Sequence, residues 1–266
     1  MPATAARDPA PPRGPSTVRY GADPDQVADL WLPTASGPEG AAASGHPVVV
    51  SIHGGYFQAK YRRDLHDPLS RRLAESGLAV LNIEYRRAGR AGSLEQTTDD
   101  VMAAITWLVS DSGRWKPGVS VVGHSAGGYL ALWAASHPAV DLVIALAAAS
   151  DLADCVGGGY DGGAVVAWLG ARPEQDPARY EQADLARRLP TGATTWLVHG
   201  DADDTVPFEQ STRYAQQARQ AGDDSLLQIL PGQGHFGVIE PGSPAFEYWH
   251  RKLVERLAPQ RPGLVG

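Results

Sequence analysis

Gly123-His-Ser-Ala-Gly127 sets a serine between two glycines, where a β-branched run gives way to an alanine-rich amphipathic helix within Val119–Ala135. The spacing G-x-S-x-G suits a tight strand-to-helix turn that lifts the serine to its crest in a strained backbone conformation. A Cβ at either glycine would collide with the neighbouring strand or helix. Ser125 would then project its hydroxyl from the top of a sheet. The N–H of Ala126, at the helix N-terminus, would face any anion formed beside it. A serine hydroxyl is a poor nucleophile at its free pKa and needs a base. In the architecture that uses such a turn, the chain order is serine, acid, base. Of eight histidines, His46, His53, His66 and His124 precede or abut the serine. His137 ends the helix that Ser125 opens, His250 lies inside the closing helix, and His199 comes ahead of the acid candidates. His235, in the loop Pro231-Gly-Gln-Gly-His-Phe236 past a late strand, can swing over the sheet to Ser125 and is the expected base.

The acid is expected after the preceding strand, where Trp196–Pro207 offers Asp201, Asp203 and Asp204. Spacing to Val206-Pro207 favours Asp203, with Asp204 second, and turn construction accounts for the others, since Asp side chains bond nearby backbone amides. Asp151, after the run Val140–Ala149, occupies another position an acid can take. The carboxylate would accept the His235 ring N–H, fix the tautomer and stabilise the imidazolium. His53-Gly-Gly-Tyr56 follows the apolar run Pro47–Ile52. Its glycines let backbone amides face developing negative charge without side-chain obstruction. The amides of Gly55, Tyr56 and Ala126, with Gly54 a further candidate, would form an oxyanion hole in which each donor is worth about 3 kcal/mol. The His53 side chain is expected to hold that loop in shape.

Holding these groups together requires a sheet with its loops at one end. An antiparallel hairpin is expected from Thr17–Tyr20 and Val27–Leu32 around Gly21–Asp25. Pro47–Ile52 then reads as a strand buried on both faces. Helix and strand patterns alternate thereafter: a helix at Pro68–Ser76 stopped by Gly77, a strand at Leu78–Tyr85, and a helix at Leu94–Ser110 with a capping-box spacing at Ser93 and Gln96. After the serine turn come a strand at Val140–Ala149, a strand at Thr194–Val198, a helix at Phe208–Ala221, a strand at Ser225–Leu230 and a helix at Pro244–Leu257. Strands separated by helices imply right-handed βαβ units. The expected fold is α/β: a mostly parallel twisted sheet of about eight strands, helices on both faces, and a small cap. The expected organisation is a disordered tail over residues 1–16 and one domain over 17–260, with residues 151–190 as the cap. Tyr160 and Trp168, in that cap, are candidates to line a substrate pocket, and Lys60–Arg63 reads as a solvated charged face.

The three motifs, in order, resemble those of the α/β-hydrolases. His53-Gly54-Gly55 resembles the oxyanion motif of hormone-sensitive-lipase-like esterases. His53–Tyr56, Gly123–Gly127 and His235-Phe236 together resemble the serine-dependent arylformamidases, in which Trp usually stands where this chain has Phe57. The segment His199–Asp203 is similar to dienelactone hydrolases and prolyl-oligopeptidase-like members. The resemblance implies a serine hydrolase acting on a small-to-medium ester or formamide, with Ser125, His235 and Asp203 as its triad and no cofactor.

Composition narrows the remaining classes. A formal charge of −7 disfavours a nucleic-acid partner. One cysteine, Cys155, precludes an internal disulfide and fits a reducing compartment, so a cytoplasmic location is expected. Residues 1–16 contain no signal-like apolar core, no run reaches membrane-span length, and no His–carboxylate cluster has metal-ligand spacing. A cap of this size is too small for the lid of an interfacial lipase. With about 120 residues ahead of Ser125 and no propeller repeat, a peptidase of the prolyl-oligopeptidase type is not expected. Acyl transfer or cyclisation by the same triad, and a non-catalytic binding protein on this scaffold, are the alternatives. The partner expected is a small molecule, and the oligomeric state stays open, a homodimer among the options.

Overall fold

The computed structural model describes residues 14–33, 45–90, 92–110 and 114–258. The chain enters through an antiparallel hairpin, β1 (Ser16–Arg19) and β2 (Val27–Trp31). β3 (His46–Ile52) follows, then α1 (Asp67–Glu75), β4 (Ala79–Ile83), α2 (Leu94–Ser110), β5 (Trp115–His124) and α3 (Ala126–Ala134). β6 (Val140–Leu146) leads into three short helices, α4 (Leu152–Gly158), α5 (Ala164–Leu169) and α6 (Pro177–Ala183). The chain returns through β7 (Thr194–Gly200), α7 (Glu209–Gln220), β8 (Ser225–Leu230) and α8 (Pro244–Leu257).

These strands form one eight-stranded sheet in the order β1-β2-β4-β3-β5-β6-β7-β8. The β1–β2 and β2–β4 pairs are antiparallel, and the rest, from β4 across to β8, are parallel. The central strands carry apolar residues at consecutive positions because both of their faces are covered. In β3, Val48, Val50 and Ile52 join the core under α2, α3 and α7, whereas Val49 joins the opposite core under α1 and α8. Each such buried valine contributes roughly 1.5–3 kcal/mol. Parallel strands joined this way end together at one edge, and the loops that leave their carboxyl ends converge there.

The helix bounds follow local chemistry. α1 stops at Gly77, which takes φ 90°, a left-handed value that glycine adopts without strain. At α2 only half of the expected capping box forms: the Gln96 side chain accepts the Ser93 N–H at 3.2 Å, while Ser93 Oγ donates to Glu95 at 2.6 Å. The hydroxyl is turned toward side-chain oxygens, Gln96 Oε1 among them. β6 ends at Leu146, three residues short of the expected strand, because Ala147 at φ 45° turns the chain away from the sheet. The expected tail falls on residues 1–13, outside the described residues, except that Ser16 already belongs to β1. The Gly/Ala/Ser-rich stretch at 34–44 also lies outside them.

Candidate active site

β5 and α3 meet at Ser125, whose φ of 57° and ψ of −120° place a non-glycine residue in a sparsely populated region. Such a conformation costs on the order of 1–3 kcal/mol and persists only when its surroundings over-determine it. Here the Ser125 N–H donates to the Leu146 carbonyl at 2.9 Å, and the Ser125 carbonyl accepts the N–H groups of Tyr129 and Ala149. The flanking glycines are obligatory. A Cβ at Gly123 would lie 2.0 Å from the Gly127 carbonyl oxygen, and one at Gly127 would lie 2.1 Å from that of Ile52. The turn therefore rests directly on β3, with no room for a side chain between them.

The loop after β8 brings His235 to the same end of the sheet. Its Nδ1 donates to Asp203 Oδ2 at 2.7 Å, which leaves Nε2 as the free ring nitrogen. Asp203 is completely buried, and its other oxygen accepts the backbone N–H groups of Thr205 and Val206, each at 2.8 Å. Burial pushes this carboxyl up. The bonds donated by His199 and His235 outweigh burial, and the net effect holds Asp203 well below the usual carboxylate range. His199 Nε2 donates to Asp203 at 3.1 Å and to the Val206 carbonyl at 2.9 Å, while its Nδ1 faces the Ser211 hydroxyl. His124 Nε2 donates to the His235 carbonyl at 2.9 Å and so fixes the backbone that carries the candidate base. Burial, then the neighbouring His235, drives the His124 pKa far down, and its ring is neutral. Ser125 and His235 line one cavity with no hydrogen bond between them, a looseness common before a substrate is bound.

Opposite the serine, the loop after β3 takes three successive positive φ values, 111° at Gly55, 57° at Tyr56 and 55° at Phe57. Among the described residues, nothing accepts the amide hydrogens of Gly54, Gly55, Tyr56 or Ala126. A Cβ at Gly54 would stand 2.7 Å from the His124 carbonyl oxygen and 3.1 Å from the Ser125 Cβ. The loop is anchored from below by a buried ionic network. His53 Nδ1 faces the Gly54 carbonyl at 2.7 Å and Nε2 faces Glu84 at 2.8 Å, so the ring is held from both sides. Arg87 pairs with Glu84 at 2.6 Å and with Asp25 at 3.1 Å, and also donates to the Tyr61 carbonyl. Burial raises the Glu84 carboxyl, but His53 and Arg87 outweigh it and the net shift is downward.

The structure gathers Ser125, Ala126, His235, Asp203 and the loop 53–57 at one end of the sheet, with Tyr160 of the cap bordering the same cavity as Ser125, and separates the other acid candidates from them. Asp204 is exposed and accepts its neighbour Thr205 Oγ1; Asp201 binds the Gly232 N–H at 2.6 Å. Asp151 caps α4 by accepting the Asp154 N–H at 2.9 Å. Trp168 lines neither of the two cavities at Ser125. It is buried flat against Phe57, with ring centroids 3.9 Å apart, and donates to Thr97 Oγ1, because that hydroxyl and the two rings offer its indole a better fit than open water. Arg63 does not belong to a solvated face, since it grips Asp29 at 2.7 Å and borders Glu84. Cys155 is buried, its thiol pushed up to about 11 by burial. Missed by the sequence were His199, Glu84 and His124 as supports. Their partners lie on other elements, although the spacing of His199, at the end of β7, and Asp203, four residues on, was a usable signal.

Among the described residues, no group of three or more His, Cys, Asp or Glu could hold a metal ion. No helix among them is long and apolar enough to cross a membrane. With a serine on a strained turn, a buried His–Asp pair and unpaired amides on both sides, this arrangement can support acyl transfer through a serine ester.

The sequence profile of the prolyl oligopeptidase family matches residues 76–255. The 5-methylorsellinic acid synthase of Aspergillus terreus is 31% identical over 116 residues, which cover 40% of this chain and 4% of the synthase. The esterase LipQ of Mycobacterium tuberculosis is 25% identical over 83% of this chain and 56% of its own length. The chain thus spans a small part of the synthase and little more than half of that esterase. A solved carbohydrate esterase from gut microbiota, in truncated form, superposes with a TM-score of 0.79 at 19% identity, covering 95% of this chain and 100% of its own. That likeness is one of fold, the α/β-hydrolase fold.

Proposed function

The chain belongs to the prolyl oligopeptidase family, and from that premise we propose that it is a serine esterase for small-to-medium carboxylic esters. One observation carries the reading: a serine on a strained turn shares a cavity with a histidine whose far nitrogen is held by a buried, ionised carboxylate. Ser125 Oγ attacks the ester carbonyl while His235 Nε2 takes its proton. Asp203 stabilises the resulting imidazolium and keeps the ring in the useful tautomer. The carbonyl oxygen, now an oxyanion, accepts from the free amides of Ala126 and of the loop Gly54–Tyr56. His235 then gives its proton to the departing alcohol oxygen, and water repeats the cycle on the acyl-serine.

Esterases among its relatives support this reading, LipQ covering most of the chain. The same chemistry extends to formamides, which the motif resemblance favours. A second reading, acyl transfer to a substrate nucleophile in place of water, is favoured by the likeness to a stretch of a polyketide-forming synthase. Product analysis with and without an added alcohol separates transfer from hydrolysis. The decisive experiment is labelling with a fluorophosphonate. The wild-type protein is expected to label at Ser125 and to hydrolyse p-nitrophenyl esters, and Ser125→Ala to do neither while keeping its circular dichroism spectrum. Undiminished turnover by the folded alanine variant would sink the proposal.

A further inference from the structure

Two cavities, of very different size, meet at Ser125 and Tyr56, which border both. One contains His235, together with Tyr61, Leu65, Phe236 and Ile239, and has a volume of about 140 Å³. The other is walled by Phe57, Ala149, Cys155, Val165 and Val206, and has a volume of about 20 Å³. General acid chemistry assigns the two. The histidine must reach the leaving oxygen, so the alcohol half of the ester lies on its side and the acyl half on the other. About 20 Å³ is room for little more than one water-sized group, such as the methyl of an acetyl ester.

The small cavity has fixed walls. Phe57 is stacked on Trp168, the Val165 N–H is held by Asp161 at 2.8 Å, and the Cys155 sulfur accepts from Gln210 at 3.4 Å. Asp161 also borders this cavity and opposes an acidic acyl chain. The larger cavity has an apolar mouth: Leu65 is 48% exposed and Phe236 is 64% exposed, unusual for large hydrophobic side chains on this protein. On the serine-esterase reading, we infer that the substrate is an acetyl ester of an apolar alcohol. Ser125 Oγ bonds to the acetyl carbon, the bond from that carbon to the alcohol oxygen breaks, and the oxygen leaves with the His235 proton. Water then releases acetate and restores the serine hydroxyl.

The test uses the full chain with p-nitrophenyl acetate, butyrate and octanoate, corrected for the rate with Ser125→Ala. The kcat/KM for acetate is expected to exceed that for butyrate by at least about tenfold, since a small, mostly apolar pocket discriminates that strongly against added methylenes. Val165→Ala, or Val206→Ala if the first fails to fold, is expected to narrow that gap by raising the butyrate rate. Benzyl acetate, compared with methyl acetate, tests the alcohol side. A preference for benzyl of at least about tenfold is expected, reduced in Leu65→Ser. Equal or better hydrolysis of octanoate, or a preference for methyl acetate, by protein that labels with fluorophosphonate overturns this inference alone. Absence of labelling overturns the esterase reading beneath it.

Discussion

Asp203 accepts four hydrogen bonds, two from histidine rings and two from its own loop, and this crowding makes its charge independent of pH across the working range. An amide in its place would present a donor to one of those rings and strand His235 in the wrong tautomer. Asp203→Asn is therefore expected to lower kcat by roughly 10³–10⁴ with KM little changed, measured on p-nitrophenyl acetate. A loss of less than tenfold would mean the carboxylate has no such part. Cys155 differs in kind. Burial raises its thiol to about 11, so the folded protein should not react with iodoacetamide at pH 7.5, whereas the urea-unfolded chain should take up one equivalent. Mass spectrometry reads both states.

Two elements, the serine turn and the loop after β3, touch through backbone atoms, and each has a substitution that probes the contact. Gly127→Ala drives a methyl group against the Ile52 and His53 carbonyls, at 2.1 and 2.4 Å. It is expected to cost at least about 3 kcal/mol in urea unfolding, or to prevent folding. Glu84→Gln removes the carboxylate that His53 and Arg87 share beneath the candidate oxyanion loop. With the loop mispositioned, kcat is expected to fall by about 10²-fold while fluorophosphonate labelling slows in parallel. Unaltered kcat in that variant would mean the loop holds its shape without the network. At this scale the sequence was largely legible. Alternating β-branched runs and amphipathic helices mark most elements, and the glycine spacing marks the serine turn. His53 was legible as a support of its own loop, but its partners were not: Glu84 with Arg87, and Asp25, come from stretches far from it in the chain, and only folding shows that they meet. Trp168 and Arg63 looked like solvent-facing or pocket residues for the same reason, since a side chain's partner decides its place.

For the molecule as a whole, burial of two neutral histidines links stability to acidity. Burial, then the nearby His53, lowers His66 to about 3, and burial lowers His124 well below its usual value. The unfolded chain binds these protons near pH 6.5 and the folded chain does not. Their contribution is therefore complete above pH 6.5 and is lost as pH falls from there towards 3, by up to about 1.4 kcal/mol per pH unit for each ring. Calorimetry should show Tm falling between pH 7 and 5, and His66→Gln should lessen the fall. A Tm flat across that interval contradicts the linkage. The mostly parallel sheet covered by helices on both faces is the part that a periodic sequence predicts best, because strands alternating with helices connect by right-handed crossovers.

Phe57 and Trp168 lie face to face, one on the loop of candidate oxyanion donors and the other on a short helix of the cap. An outward swing of that helix would drag those donors with it or peel the two rings apart. The roof over Ser125 is thus bolted to the loop beneath it, which leaves the exposed Leu65–Phe236 rim on the opposite flank as the looser side, and as the door under the proposed reaction.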